Sequence, residues 1–240
     1  MSILKQRLSA PDLIVNDLKN RIRNGEFRAG EQLPSERQLQ TDYGVSRLPL
    51  REAIARLNGL GIIRVSQGKG AFVCADVDSA TVGDALIPLF PHDSIDRMHE
   101  LVEARSLIEG EAASRAAQYA TVDQLKSLES KLNYTQSILK DPKLFAECDF
   151  AFHREIAEIS GNRFLILMLE ALSSHIRHYL SQLTTNAQDR AKMINEHEGI
   201  YRAIKKGDPV LACKKAREHL VFCKNTFQRS QRKRNRTKSA

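Results

Sequence analysis

The sequence predicts a mostly α chain: an N-terminal winged helix-turn-helix followed by an antiparallel all-α bundle of six or seven helices. Three observations carry this. Three short helical patterns run into two β-like segments joined by Gln67-Gly68-Lys69-Gly70. Seven of the 12 glycines fall in residues 1–75, leaving five for the other 165 residues. That remainder has almost no alternating segments and a succession of patterns with helical period.

Pro11-Asp12 opens the first helix, whose Ile14, Leu18 and Ile22 share one face, and Gly25 and Gly30 end it. Ser35 caps the second, with Gln38 three residues on completing a capping-box pattern; Tyr43-Gly44-Val45 makes the turn. Ser46 caps the third, where Pro49 is tolerated in the first turn and Leu50, Ala53, Ile54 and Leu57 form the buried stripe. Gly59 and Gly61 close it, and Ile62–Ser66 and Ala71–Val73 form a hairpin wing. Residues 1–74 thus form the head and 75–93 a linker with a short helix from about Val77 to Phe90. The bundle occupies 94–228, and 229–240 is a basic tail expected to be disordered. Bundle helices are expected at Ser94–Tyr119, Thr121–Lys140, Pro142–Ser160, Asn162–Leu183, Asp189–Lys206 and Asp208–Phe227, with caps at Thr121, Asp141 and Asp208.

The chain carries a net charge of +8, unevenly spread. Residues 1–75 hold 12 Lys/Arg against 7 Asp/Glu, residues 76–223 hold 18 against 22, and residues 224–240 hold 7 against none. A basic head on a mildly acidic body implies one part that meets a polyanion and one that does not. The tail, with Arg232, Lys233, Arg234 and Arg236, has no pattern that fixes a geometry and adds at most nonspecific phosphate attraction. Four scattered cysteines without a C-x-x-C pair argue against a disulfide scaffold or a cysteine zinc ribbon. No stretch is apolar enough for a membrane span, and the N-terminus lacks a signal-peptide core, so a soluble cytoplasmic protein is expected.

In a helix-turn-helix the second helix of the motif enters the major groove. Here it begins Ser46-Arg47-Leu48-Pro49-Leu50-Arg51, and Arg47 and Arg51, four apart, project from one face. Arginine suits bidentate contact with guanine or phosphate. Arg37 opens the preceding helix, Ser46 and the adjacent amides suit phosphate, and the wing turn Gln67-Gly68-Lys69 is small enough at Gly68 to approach the minor groove. The run GEFRAGEQLPSERQLQTDYGVSRLPLREAIARLNGLGIIRVSQGKGAFV resembles the winged-helix domain of GntR-family bacterial transcription regulators. That resemblance implies operator contacts by Arg37, Arg47, Arg51 and the wing, and a homodimer on double-stranded DNA with an inverted repeat.

Asp149 and His153 stand four apart on one helical face among Phe145, Phe152 and Ile156. His197 lies 10 residues before Gly207 and His219 11 after Asp208, so an antiparallel pair turning at Gly207-Asp208-Pro209 sets both imidazoles at one level. Three imidazoles and a carboxylate converging in a bundle make a divalent-metal site, or an isolated set of buried hydrogen-bonded side chains. His92, His99, His175 and His178 show no such convergence. The segment from Ser94 to Phe227 is similar to the effector domain of the FadR subgroup, the FCD domain, through Glu100-Leu101-Val102-Glu103-Ala104-Arg105, Asp149-Phe150-Ala151-Phe152-His153, Gly161-Asn162, Glu196-His197 and His219-Leu220. The resemblance implies that Asp149, His153, His197 and His219 bind a divalent metal, zinc before nickel or another transition metal. It also implies that Arg105 pairs with the carboxylate of a small organic acid effector; a salt bridge of Arg105 with Glu103 or Glu109 is the plainer reading. The expectation is a ligand-responsive regulator, a repressor, and not an enzyme. The alternatives are a metal-dependent hydrolase fused to a DNA-binding head and a ligand-independent DNA binder.

Overall fold

The computed structural model describes residues 8–89, 95–183 and 186–238, and the chain divides into two compact units, Met1–Val82 and Gly83–Ala240. The first unit holds α1 (Ala10–Arg23), α2 (Glu36–Tyr43), α3 (Arg47–Gly59), β1 (Ile63–Ser66) and β2 (Gly70–Val73). The strands pair antiparallel with Ile63 opposite Val73 and Ser66 opposite Gly70, and Gln32 adds a bridge to Phe72. α1 starts at a full capping box: Ser9 accepts from the Asp12 amide and Asp12 reaches back to Ser9. At α2 only half of the expected box forms. Ser35 accepts from the Gln38 amide, but the Gln38 side chain donates forward to Asp42 at 2.7 Å. α2 ends at Gly44, whose φ of +62° is the left-handed conformation in which a Cβ is strained. Ile14, Leu18, Leu39, Leu50, Leu57 and Ile63 form the core beneath the helices, each at most 2% exposed. α4 (Ser79–Leu86) and a 3₁₀ turn at Ile87–Leu89 follow; the expected helix end at Phe90, the linker end at Asp93 and His92 lie outside the described residues.

The second unit is a bundle of α5 (Ile95–Tyr119), α6 (Val122–Ser137), α7 (Pro142–Ile159), α8 (Arg163–Ala171), α9 (Ser173–Leu183), α10 (Ala187–Lys205) and α11 (Pro209–Lys238), seven helices among the described residues. Thr121 forms a complete capping box with Gln124, Asp141 accepts from two amides, and Asp208 accepts from the Leu211 amide. α5 and α11 form the most extensive pair, and Gly110 lies against it: a Cβ there meets the Arg217 side chain at 3.0 Å. Two expectations are corrected. The single helix over Asn162–Leu183 is broken at Leu172. No glycine or proline marks the break; it lets Leu169 and Ala171 on one side and Ile176, Tyr179 and Leu180 on the other all reach the core. The basic segment after Phe227, expected to be disordered, continues α11 as helix to Lys238. Its Gln, Lys and Arg are good helix formers, a buried Thr226 and Phe227 anchor the turn before it, and cations suit a helix C-terminus. Among the described residues no helix is long and apolar enough to cross a membrane.

Candidate metal centre and nucleic-acid interface

The residues expected to meet DNA stand on α2, α3 and the wing turn. Arg37, Ser46, Arg47 and Arg51 are all exposed, as are Gln67, Gly68 and Lys69. Glu36 reaches both Arg47 and Arg51, at 3.8 Å from Arg47 Nε and 3.5 Å from Arg51 Nε. With the arginine side chains more than half exposed, this pairing is weak in energy but holds both guanidinium groups toward the start of α2. Ser46 occupies the N-cap of α3 but, contrary to expectation, its side chain makes no cap bond. Pro49 stands at the third helical position and has no N–H, which removes one of the two amides an N-cap side chain can take. The wing is pinned by Gln32, whose Nε2 donates to the Lys69 carbonyl at 2.6 Å. A Cβ at Gly70 would meet that same Nε2 at 2.7 Å, and Gly70 has φ of +106°, so the turn needs glycine there. Gly68, at φ +71°, leaves open space above the turn.

In the bundle, α7 contributes Asp149 and His153, α10 His197 and α11 His219. One donor atom from each lies within 4.8 Å of all the others, and all four side chains are at most 3% exposed. The Nε2 atoms of His153 and His197 are 3.1 Å apart and those of His197 and His219 3.3 Å apart. Asp149 Oδ1 stands 3.3 Å from His197 Nε2, and Oδ2 4.0 Å from His153 Nε2. Ligands bound about 2.0–2.1 Å from one cation stand about 3–3.4 Å from each other. His153 Nδ1 lies 2.8 Å from Glu109 Oε2, and a proton held on that nitrogen leaves the Nε2 lone pair to the other donors. Neither Asp149 oxygen accepts a hydrogen bond. A buried carboxylate without donors, facing ring nitrogens that cannot all donate to one another, is a donor set that fits a divalent cation.

The electrostatics agree. Burial lowers His197 well below the ordinary imidazole value, reinforced by His153 and Arg105, and burial lowers His219 likewise, reinforced by His197 and His153; both shifts favour the neutral form that a ligand needs. Burial raises Asp149 to about 6, against the opposing pull of His153 and Arg105. Arg105 is 1% exposed and pairs with Glu109, Nε to Oε1 at 2.5 Å. Burial alone would raise Glu109 and lower Arg105; their mutual attraction outweighs it, so Glu109 lies below the ordinary carboxylate value and Arg105 above its own. Of the two pairings weighed for Arg105, Glu109 is the one formed, while Lys224 is the partner of Glu103. Arg105 Nη1 and the Tyr179 hydroxyl are buried without a hydrogen-bond partner. The Cys223 Sγ lies 3.6 Å from His219 Nε2. Glu109, Tyr179 and Cys223 were not singled out as site residues. The i, i+4 spacing of Arg105 with Glu109 and of His219 with Cys223 was the available signal. His99 meets Gln228 Nε2 at 2.9 Å, away from the cluster.

A winged helix-turn-helix with exposed arginines on α2 and α3, carried on the same chain as a helical bundle with a buried polar cluster, defines the class of DNA-binding regulators. Residues 12–73 match the family of bacterial regulatory proteins, gntR family, and residues 100–222 match the FCD domain. The chain is 31% identical over 225 residues to the HTH-type transcriptional repressor NanR of Enterobacter sp. (strain 638), covering 91% of this chain and 84% of that one. It is 30% identical over 195 residues to the HTH-type transcriptional regulator LutR of Bacillus subtilis (strain 168), covering 78% and 87%. The solved structure described as Streptococcus agalactiae GntR matches with a TM-score of 0.68 and 26% identity, over 90% of this chain and 99% of that chain. The chain belongs to the GntR family and carries an FCD domain. Regulators of this family bind operator DNA and commonly act as dimers. Both of these relatives are named as transcription regulators, the class to which the family model also assigns the chain, and neither is named as a hydrolase.

Proposed function

We propose that this chain is a ligand-responsive repressor that acts as a homodimer in the cytoplasm on an inverted-repeat operator. Arg37, Ser46, Arg47, Arg51, Gln67, Gly68 and Lys69 contact the DNA. Asp149, His153, His197 and His219 hold one divalent cation, zinc before nickel or another transition metal, and a small organic acid binds beside it and changes operator affinity. The observation that supports the reading most strongly is the convergence of three imidazole nitrogens and an unpartnered carboxylate in a fully buried cluster. The cation, when bound, supplies a Lewis-acidic anchor for a carboxylate. The chain's own residues do the rest. Glu109 orients His153, Arg105 offers Nη1 to the incoming anion, and Tyr179 offers its hydroxyl. The acid shifts the head only if its affinity differs between the operator-bound and free states. The relative named as the repressor NanR supports repression. Calorimetry of the zinc-loaded protein against a panel of hydroxy, keto and sugar acids tests the reading. Heat that disappears after chelation is expected, together with a change in operator affinity; no heat from any acid would leave a ligand-independent DNA binder.

A further inference from the structure

We infer that Leu48 is a specificity residue of the DNA-binding head: its side chain packs on the 5-methyl group of a thymine and selects thymine over cytosine at one position of each half-site. The inference rests on the DNA-binding reading above and adds a residue to it. α3 is the second helix of the helix-turn-helix, and in such motifs the N-terminal residues of that helix meet base edges in the major groove. Leu48 is the second residue of α3. At 78% exposed it is the most exposed large apolar side chain among the described residues of the head, and it takes no part in the head's core. The helix sets its direction. Leu50, Ala53, Ile54 and Leu57 are the buried stripe of α3. At about 100° per residue, Leu48 lies about 160° round the helix from Leu50, nearly opposite that stripe. Arg51, three residues on, is its neighbour on the outer face.

The chemistry of the side chain narrows what it can meet there. Leucine cannot donate to a phosphate, cap a helix or pair with a charge. It gains by covering another apolar group, and in the major groove the thymine 5-methyl is the apolar group that a base pair presents. Cytosine presents its N4 amino donor on that edge, which leucine would strip of water without replacing the hydrogen bond. The next position agrees. Pro49 is half-buried and has no N–H, so the backbone beside Leu48 brings no donor that would favour a polar base edge. Arg47 and Arg51 supply the donors on either side, and Leu48 supplies the apolar contact between them.

The experiment uses the full-length protein. Selection from random duplexes gives its preferred site, and each thymine of that site is then replaced singly by deoxyuridine, which lacks the 5-methyl group and is otherwise the same. At one thymine in each half-site the replacement should weaken binding by the native chain about fourfold, the contribution of one buried methyl group. Leu48→Ala, too short to reach the methyl, should bind the two duplexes equally, and selection with this variant should lose the thymine preference at that position. Alanine is a good helix former and Leu48 lies outside the core, so the variant keeps the fold. A preferred site in which no deoxyuridine weakens binding, or a deoxyuridine effect as large in Leu48→Ala as in the native chain, would overturn the inference and leave the DNA-binding reading standing. Failure to enrich any duplex would overturn both.

Discussion

Asp149→Asn makes the tension in the cluster measurable, because it should stabilise the protein without metal and weaken it with metal. Asp149 is 0% exposed, neither oxygen accepts a hydrogen bond, and burial raises its carboxyl from 3.8 to about 6. A carboxyl whose value is higher in the fold than in the unfolded chain resists ionising there. Well below its unfolded value of 3.8 it is protonated in both states and makes no difference. As pH rises toward 6 the unfolded chain gives up its proton first, and stability falls. Above about pH 6 the penalty is complete, and the gap from 3.8 to about 6 corresponds to about 3 kcal/mol. Asparagine carries no charge and brings amide donors for the neighbouring imidazole nitrogens. In chelator at pH 7.5, Asp149→Asn should therefore raise the unfolding free energy by up to about 3 kcal/mol, an advantage that shrinks as pH falls through 6 and vanishes well below 3.8. With zinc at about a hundred times its dissociation constant, the native chain gains about 2.7 kcal/mol and the variant less, so the order closes or reverses. Urea unfolding followed by tyrosine fluorescence reads this well, since Tyr119, Tyr134, Tyr179 and Tyr201 lie in the bundle and only Tyr43 lies in the head. A variant less stable than the native chain in chelator at pH 7.5 would refute the reasoning, for it would mean the carboxylate has good protein partners.

Arg47→Ala should weaken operator binding in gel shifts by about 1–3 kcal/mol, and relax specificity at one base pair, whereas unchanged binding would remove Arg47 from the interface. Arg105→Met strands Glu109 in the bundle and should cost about 3–5 kcal/mol in urea unfolding, most of it recovered in the Arg105→Met/Glu109→Gln double variant; a loss below about 1 kcal/mol would contradict the buried pairing. Gly44→Ala forces a Cβ into left-handed backbone at the end of α2 and should destabilise the head by about 1–2 kcal/mol by circular dichroism melting, with no change in metal content.

Much of the fold was legible because local chemistry and global packing agree. The capping residues Ser35, Thr121, Asp141 and Asp208 all act as caps, and the wing follows from Gly68 and Gly70 between two β-like runs. The level of His197 and His219 could be read because Gly207, at φ +70°, marks the turn between their helices. Where the sequence misled, tertiary context decided. The break at Leu172 serves the packing of Leu169 and Ile176 and has no local marker. The helical run beyond Phe227 was masked by charge, which signals solvation and says little about backbone conformation. At the site, Asp149 and His153 announced themselves by spacing. Tyr179 did not, because only the packing of α9 against α7 and α11 brings an aromatic residue of ordinary appearance into the buried interior.

Metal content per chain is the most direct test of the metal site at the centre of this reading. Full-length protein dialysed against zinc and freed of loose metal should carry one equivalent by elemental analysis, and His197→Ala, which removes the imidazole shared by the 3.1 and 3.3 Å contacts, should lose most of it while keeping its helical content. A native chain without metal, or a His197→Ala variant that retains a full equivalent, would contradict it.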